Sequence, residues 1–201
     1  MNFDSKLSSK FYTRNLHKVA EELLGKYFVR RINQKFLTGK IVEVEAYDGT
    51  IDEAAHTFGG KTKRNEVMFN EGGLLYVYFT YGMHFCCNVV TGIGNEGKAI
   101  LLRAFEPVEE LELMVLNRFG KKEINDKELN NLTNGPAKIC MAFQISRKEN
   151  GTDLTGEDIF ICDAPKIPKS KIAKSVRIGI KKSVDLPWRY YIKDNSFVSK
   201  K

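Results

Sequence analysis

The segment Ile41–Tyr47 constrains the fold more than any other, because hydrophobic and polar residues alternate along it. The alternation predicts a strand with two valines and an alanine on one face, and Glu43, Glu45 and Tyr47 on the other. For this strand alone the favoured interpretation is a face in water, which is common in antiparallel sheets. The long irregular stretch that follows contains His56, and loops of that length favour the alternative interpretation, a functional site.

The remaining hydrophobic patterns predict short strands and helices without the regular alternation of doubly wound proteins. Helical spacing begins near Asn15, Pro107 and Asn134. The predicted strands cover residues 27–32, 36–46, 74–79, 85–91, 98–105, 159–162, 176–180 and 189–192. This order favours the α+β class, and a length of 201 residues favours one domain over residues 1–201.

The net charge and the hydropathy of the sequence limit the kinds of binding partner to expect. The formal net charge of +7 suits a polyanion such as nucleic acid without establishing one. No stretch approaches the roughly 18 consecutive apolar residues of a membrane helix. The first ten residues lack the apolar run of a secretory signal, so we expect a cytoplasmic protein with no membrane partner.

The cysteines and histidines do not have the spacing of a zinc site. Cys86, Cys87, Cys140 and Cys162 include no C-x-x-C pair, and the three histidines show no H-x-x-x-H spacing. We therefore expect no metal, and we expect the four thiols to be free and buried.

A second aromatic strand ends in a hairpin whose tip carries large side chains. Tyr76 and Tyr78 share one face of this strand, and a turn follows at Tyr81-Gly82. Aromatic residues in strands are mostly packing residues, whereas hairpin tips are normally small or polar. Tyr81 and Met83 therefore predict a protruding apolar wedge, of the kind that proteins insert between the base steps of DNA.

Eight short motifs occur in order along nearly the whole chain. They read EVEAY, EAAH, RNEVMF, LYVYFTYGMHFCCN, LLRAFEP, TNGPAK, RIGI and WRYYI. With these motifs the sequence resembles the alkyladenine DNA glycosylases, also called 3-methyladenine DNA glycosylases. The resemblance implies a mostly antiparallel, curved sheet with surrounding helices and a protruding hairpin. This fold is similar to the C-terminal domain of methionyl-tRNA formyltransferase.

The resemblance also implies a reaction, in which a damaged nucleotide is flipped out of the duplex into a pocket. Tyr81 matches the residue that intercalates in its place. Tyr47, His56 and Tyr78 match the aromatic residues that stack on the flipped base. Glu45 matches the general base that activates water for attack on the sugar.

Five further positions match residues of the same family. Asn88 matches a pocket residue that helps reject normal guanine, and Arg103 matches a residue near the water and the phosphates. Lys138 matches a contact to DNA phosphate at a helix start. Ile178 and Gly179 match a segment whose backbone reaches the bound base.

The resemblance implies a monofunctional enzyme that leaves an abasic site and needs no cofactor. Its partner is double-stranded DNA with damaged purines, and we expect a monomer, associated with the nucleoid in a prokaryote. The expected lesions are 3-methyladenine and 7-methylguanine, with hypoxanthine and ethenoadenine as further candidates.

Three alternatives remain open at this stage. The first is a non-catalytic nucleic-acid binding module on the same scaffold. The second is a metal-dependent nuclease that uses Glu43 and Glu45, and the third is weak binding of RNA. Glu43 has no catalytic counterpart in the family, so we expect it to hold Arg103 or a water molecule.

Overall fold

Strands make up most of the regular structure, which we describe from a computed structural model of residues 5–80 and 82–199. The strands are β1 (Tyr27–Ile32), β2 (Lys35–Asp48), β3 (Leu75–Thr80), β4 (His84–Thr91), β5 (Lys98–Glu109), β6 (Ile159–Cys162), β7 (Ile172–Ser175) and β8 (Arg189–Ile192). The helices are α1 (Ser9–Tyr12), α2 (Leu16–Leu23), α3 (Leu111–Phe119), α4 (Asp126–Asn130) and α5 (Pro136–Ala142). Short 3-10 turns lie at Glu66–Phe69, Arg147–Glu149 and Lys169–Lys171.

All of these strands belong to one curved antiparallel sheet, with the order β3-β4-β5-β2-β1-β6. Strand β8 pairs with both β2 and β7. The predicted α+β class with a mostly antiparallel sheet, surrounding helices and a β3–β4 hairpin is confirmed. Its likeness to the formyltransferase domain stays a prediction.

Strand β2 runs through the centre of the sheet and has 14 residues. One edge pairs with β5, while the other pairs first with β1 and then with β8. Val42, Val44 and Ala46 are fully buried in the main hydrophobic core, as the alternation predicts. The opposite face therefore carries Glu43 and Glu45 into the middle of the protein.

The ladder between β2 and β5 is irregular where the acidic residues lie. Ile41 pairs with Phe105 and Glu43 with Ala104, so Val42 has no partner of its own. Arg103 is likewise skipped, because the next pair joins Val44 to Leu102. The pairs on either side of the irregularity keep one register, in which Arg103 lies opposite Glu43, so Arg103 belongs to the face of the sheet that carries the two acids.

Two of the predicted helix starts are confirmed by their local chemistry. The Asn15 side chain accepts hydrogen bonds from the backbone N–H groups of His17 and Lys18, and so caps α2. Helix α5 begins at Pro136 directly after Gly135, and proline suits this position because its missing N–H would have no helical partner.

The prediction of a helix beginning at Pro107 is wrong. Strand β5 continues to Glu109, and Pro107 pairs with Gly39 at a register shift, where the missing N–H interrupts no regular ladder. Helix α3 begins only after Glu110, whose left-handed backbone (φ 59°) turns the chain out of the strand.

The strand predicted over residues 176–180 is also wrong, because β7 covers Ile172–Ser175 and the chain then leaves the sheet. The four cysteines all lie in the described ranges, where they are buried and form no disulfide, as predicted. Within the two described ranges, no helix has the length and apolar character needed to cross a membrane.

Candidate active site

The acidic face of β2 is buried, so its interpretation as a face in water is wrong. Glu43 and Glu45 are both 0% exposed. The cover comes from the C-terminal third of the chain, where β8 pairs with residues 43–45 and two further segments donate hydrogen bonds. A buried carboxylate is strongly destabilising unless it is paired, and both of these are.

Glu45 accepts hydrogen bonds from three groups of the described chain. The Tyr47 hydroxyl and the Arg103 guanidinium donate to Oε2, at 2.9 and 3.2 Å. The backbone N–H of Ile178 donates to Oε1, at 2.7 Å. All three partners donate, so Glu45 is held purely as an acceptor.

Glu43 lies in a denser set of contacts. Its Oε1 accepts from Arg103 Nε at 3.0 Å, from Arg189 Nε at 2.7 Å and from the Ser199 hydroxyl at 2.9 Å. Its Oε2 accepts from the Ser199 backbone N–H at 2.6 Å. Glu43 thus holds Arg103, which is one of the two roles expected from the sequence.

Arg103 connects the two acids. Burial by itself would lower the pKa of its guanidinium, but Glu45 and Glu43 together raise that pKa above its ordinary value. Two carboxylates and the two arginines Arg103 and Arg189 therefore form a buried cluster whose formal charges cancel.

A cavity of about 440 Å³ lies in front of this cluster. The predicted residues that line it are Tyr47, His56, Tyr78, Asn88, Arg103, Ile178 and Gly179. The other lining residues are Glu53, Ala54, Met68, Tyr76, Thr80, Cys86, Leu101, Pro136, Ile180, Lys181 and Lys182. All three partners of Glu45 belong to the first group, so Glu45 lies directly behind the cavity wall.

Three aromatic rings make one wall of the cavity. The His56 ring meets the Tyr78 ring edge-on, with centroids 4.5 Å apart. Tyr76 stacks on Tyr78 at 5.7 Å, and its hydroxyl lies 3.1 Å from His56 Nδ1. Tyr76 shares a face with Tyr78 in the predicted strand, but its place in the cavity wall was not predicted from the sequence.

The ionisable groups of this wall are held neutral. Burial raises the pKa of the Tyr78 hydroxyl, and burial followed by the charge of Glu45 raises that of Tyr47. One side of the His56 ring stays open to the cavity, yet burial among its neighbours and then the charge of Arg64 lower its pKa to about 4. His56 is therefore uncharged near neutral pH.

Two predicted DNA-contacting residues lie away from the cavity. Met83 is 70% exposed at the end of the β3–β4 hairpin. Lys138 is half-buried on α5 and donates hydrogen bonds to Asn131 and Asn134. Tyr81, the predicted intercalating residue, lies outside the described residues.

Comparison with known proteins places this site in a family. Residues 10–196 match the methylpurine-DNA glycosylase family. The chain belongs to the methylpurine-DNA glycosylase family. This confirms the resemblance drawn from the ordered motifs.

Relatives within the methylpurine-DNA glycosylase family align over nearly their full length. A Clostridium botulinum protein (strain Alaska E43 / Type E3) is 45% identical, with 97% of this chain and 99% of the relative covered. A Clostridium novyi protein is 45% identical (98% and 99% covered), and one from Alkaliphilus oremlandii is 44% identical (98% and 100%). All three are provisionally named 3-methyladenine DNA glycosylases. The methylpurine-DNA glycosylase match includes every residue that lines the cavity.

Proposed function

We propose that this protein is a monofunctional 3-methyladenine DNA glycosylase. It binds duplex DNA, accepts a flipped alkylated purine in the cavity, and hydrolyses the N-glycosidic bond to leave an abasic site. The observation that carries the proposal is the position of Glu45, directly behind the wall of a cavity lined by aromatic residues. Family membership and the names of the relatives agree with it.

The hydrogen bonds of Glu45 favour one oxygen for the catalytic water. A carboxylate oxygen has two acceptor positions, and Oε2 uses both, for Tyr47 and Arg103. Oε1 accepts only the N–H of Ile178 from the described chain, so it keeps one position for water. We therefore assign Oε1 as the atom that takes the proton from water.

The reaction then balances without a second acid for a cationic lesion. The water oxygen bonds to C1′ as its proton moves to Glu45, and the bond from C1′ to the purine nitrogen breaks. The electron pair of that bond stays on the purine and neutralises its positive charge. The nearby carboxylate also stabilises the oxocarbenium character of the sugar.

The cavity suits an alkylated purine in size and in charge. Its volume of about 440 Å³ lies within the roughly 300–1,000 Å³ of small-molecule sites. Stacking on aromatic rings contributes about 1–3 kcal/mol per base, which helps offset unstacking from the duplex. Aromatic faces also attract cations, and the neutral His56 adds no opposing charge.

Discrimination against normal guanine is assigned to Asn88. Its side chain is 5% exposed, lines the cavity and donates a hydrogen bond to the Tyr76 carbonyl at 3.2 Å. That bond fixes the amide group, so Asn88 meets an incoming base with a set shape and a set pattern of donors and acceptors. Gly179, beside Ile178, lets the backbone approach the base closely.

Contacts to the duplex are assigned to the hairpin and to α5. Met83 is exposed and follows the predicted intercalating residue Tyr81 by two positions in the sequence, and we assign the wedge to these two residues. Lys138 is the proposed contact to a phosphate, and its ammonium group would exchange Asn131 or Asn134 for the phosphate oxygens.

The test is an excision assay on a duplex that contains one 7-methylguanine. We expect an abasic site that breaks only on treatment with alkali, at a rate that EDTA does not change. Strand cleavage before alkali, abolished by EDTA, would favour the nuclease. Binding of the lesion duplex without any excision would favour the non-catalytic module. A panel with 3-methyladenine, hypoxanthine and ethenoadenine then defines the lesion range.

A further inference from the structure

A second buried ion pair lies behind the cavity and connects two loops. Arg177 donates to both carboxylate oxygens of Asp52, at 2.5 and 2.8 Å. Both side chains are 0% exposed. Asp52 lies in the loop after β2, and Arg177 lies 125 positions later, in the loop between β7 and β8. Arg177 begins the RIGI motif, but no sequence pattern connected it to Asp52.

Arg177 also contacts the residue that precedes Tyr47 and the Tyr47 ring itself. Its Nη1 donates to the Ala46 carbonyl at 3.0 Å. Its guanidinium carbon lies 4.5 Å from the centre of the Tyr47 ring, which is the geometry of a cation–π contact. The guanidinium therefore supports Tyr47, whose hydroxyl donates to Glu45.

The same arginine fixes the position of Ile178, because the two are neighbours in the chain. The Ile178 N–H donates to Glu45 Oε1, the oxygen to which we assign the catalytic water. On the other side of the pair, the loop that starts with Asp52 continues to His56 in the aromatic wall. Neither Asp52 nor Arg177 lines the cavity itself.

We propose that Asp52 and Arg177 are positioning residues for Glu45. The inference rests on the proposed function. The pair holds two of the three donors to Glu45, the Tyr47 hydroxyl and the Ile178 N–H, at their places behind the cavity wall. Bidentate contact to a planar guanidinium fixes orientation as well as distance, and a lysine at position 177 would lose both that contact and the stacking on Tyr47.

The experiment compares Asp52→Asn and Arg177→Lys with a matched control, Glu149→Gln. Glu149 pairs with Arg30 at 2.9 Å, is also mostly buried and does not line the cavity. Each variant is measured for thermal unfolding, for affinity to a 7-methylguanine duplex and for single-turnover excision, below the unfolding temperature of all of them.

We expect Asp52→Asn and Arg177→Lys to slow single-turnover excision by about 30-fold, because misplacement of catalytic groups by about 1 Å can reduce rates 10²-fold. Their affinity for the lesion duplex should change less than about threefold, since the ring wall of Tyr76 and Tyr78 remains. The control should excise at the wild-type rate even where it unfolds at a lower temperature.

A pH profile separates positioning from a general loss of structure. Loss of donors disfavours the charged form of a carboxylate, so the acid limb of excision should move to higher pH in both variants. An unmoved limb with wild-type rates would overturn the inference, as would parallel losses of excision and affinity. If Asp52→Asn does not fold, the inference is tested by Arg177→Lys alone. If the wild type itself excises no lesion, it is the proposed function that fails.

Discussion

Glu43 and Glu45 lie two residues apart on the same face of the same strand, and both are fully buried. They differ in how their acceptor positions are used. A carboxylate has about four such positions. From the described chain, Glu43 accepts four hydrogen bonds, whereas Glu45 accepts three.

The two acids also differ in whether all of their hydrogen-bond partners line the cavity. Glu43 is enclosed by Arg103, Arg189 and Ser199, whereas every partner of Glu45 also lines the cavity. The comparison teaches that residue type, strand face and burial do not distinguish the acid that we propose as the general base from its neighbour. Glu43 Oε2 and Glu45 Oε1 each accept one hydrogen bond from the described chain, so the adjoining cavity is what distinguishes the two acids, and four predictions test this difference.

The largest expected effect comes from Glu45→Gln. The amide keeps the size of the side chain but cannot take a proton from water, so single-turnover excision should fall roughly 10³-fold. Affinity for a 7-methylguanine duplex, measured by fluorescence anisotropy with wild type as the reference, should be retained. Excision within tenfold of the wild-type rate would remove Glu45 from the role of base.

Glu43→Gln should have its main effect on stability. It leaves Arg103 and Arg189 with one carboxylate between them, and breaking a buried ion pair lowers the free energy of unfolding by about 3 kcal/mol. Urea denaturation measures this change. Excision by the folded variant should fall far less than in Glu45→Gln, and an equal loss would contradict the distinction between the two acids.

Tyr47→Phe tests one of the three donors to Glu45, and it should slow excision less than Glu45→Gln does. It removes one donor to Glu45 and keeps the ring for stacking, so excision should fall about tenfold, the equivalent of one hydrogen bond to a charged group. Lesion affinity should not change. Tyr27→Phe, on β1 and away from the cavity, is the control. A loss of affinity that matches the loss of rate would assign Tyr47 to binding alone.

The smallest effect concerns the charge of the cavity. The pKa of His56 is lowered to about 4 by burial and then by Arg64, so the ring is neutral above that pH. Arg64→Ala should raise the midpoint of the His56 signal in an NMR titration toward 6.5, because one cause of the lowering is removed. Lys63→Ala, at the neighbouring position, should leave it unchanged. A midpoint near 6.5 in the wild type would contradict the lowered pKa of His56.

Local patterns in the sequence predict much of the fold. The alternation in β2 separates the valines from the acids, and the cap at Asn15 marks the start of α2. Pro107 misleads because proline is favoured both at helix starts and at irregular places in strands, and only the partner strand distinguishes the two. Burial of the acidic face depends on residues more than 130 positions away, so alternation alone cannot reveal it.

The quoted motifs contain the predicted residues of the cavity, but Tyr76 and Arg177 also lie in motifs and were assigned no role. Seven of the predicted residues line one cavity. The roles of Glu45 as base, of the aromatic residues in stacking and of Lys138 in phosphate contact stay predictions until variants are measured. No local pattern links Asp52 to Arg177, because the two residues belong to different loops and meet only when the sheet has closed.

The contacts of Glu43 also bear on how the protein is made. Its partners follow it by 60, 146 and 156 positions, so contacts of long sequence separation complete the cluster. Such contacts form slowly. During translation the full set can form only after the last of these residues has left the ribosome. A nascent chain that has not yet reached Ser199 presents its two acids without their full cover. The buried cluster of Glu43, Glu45 and their arginines is therefore among the last parts of the molecule to assemble, after the strands that support it have been synthesised.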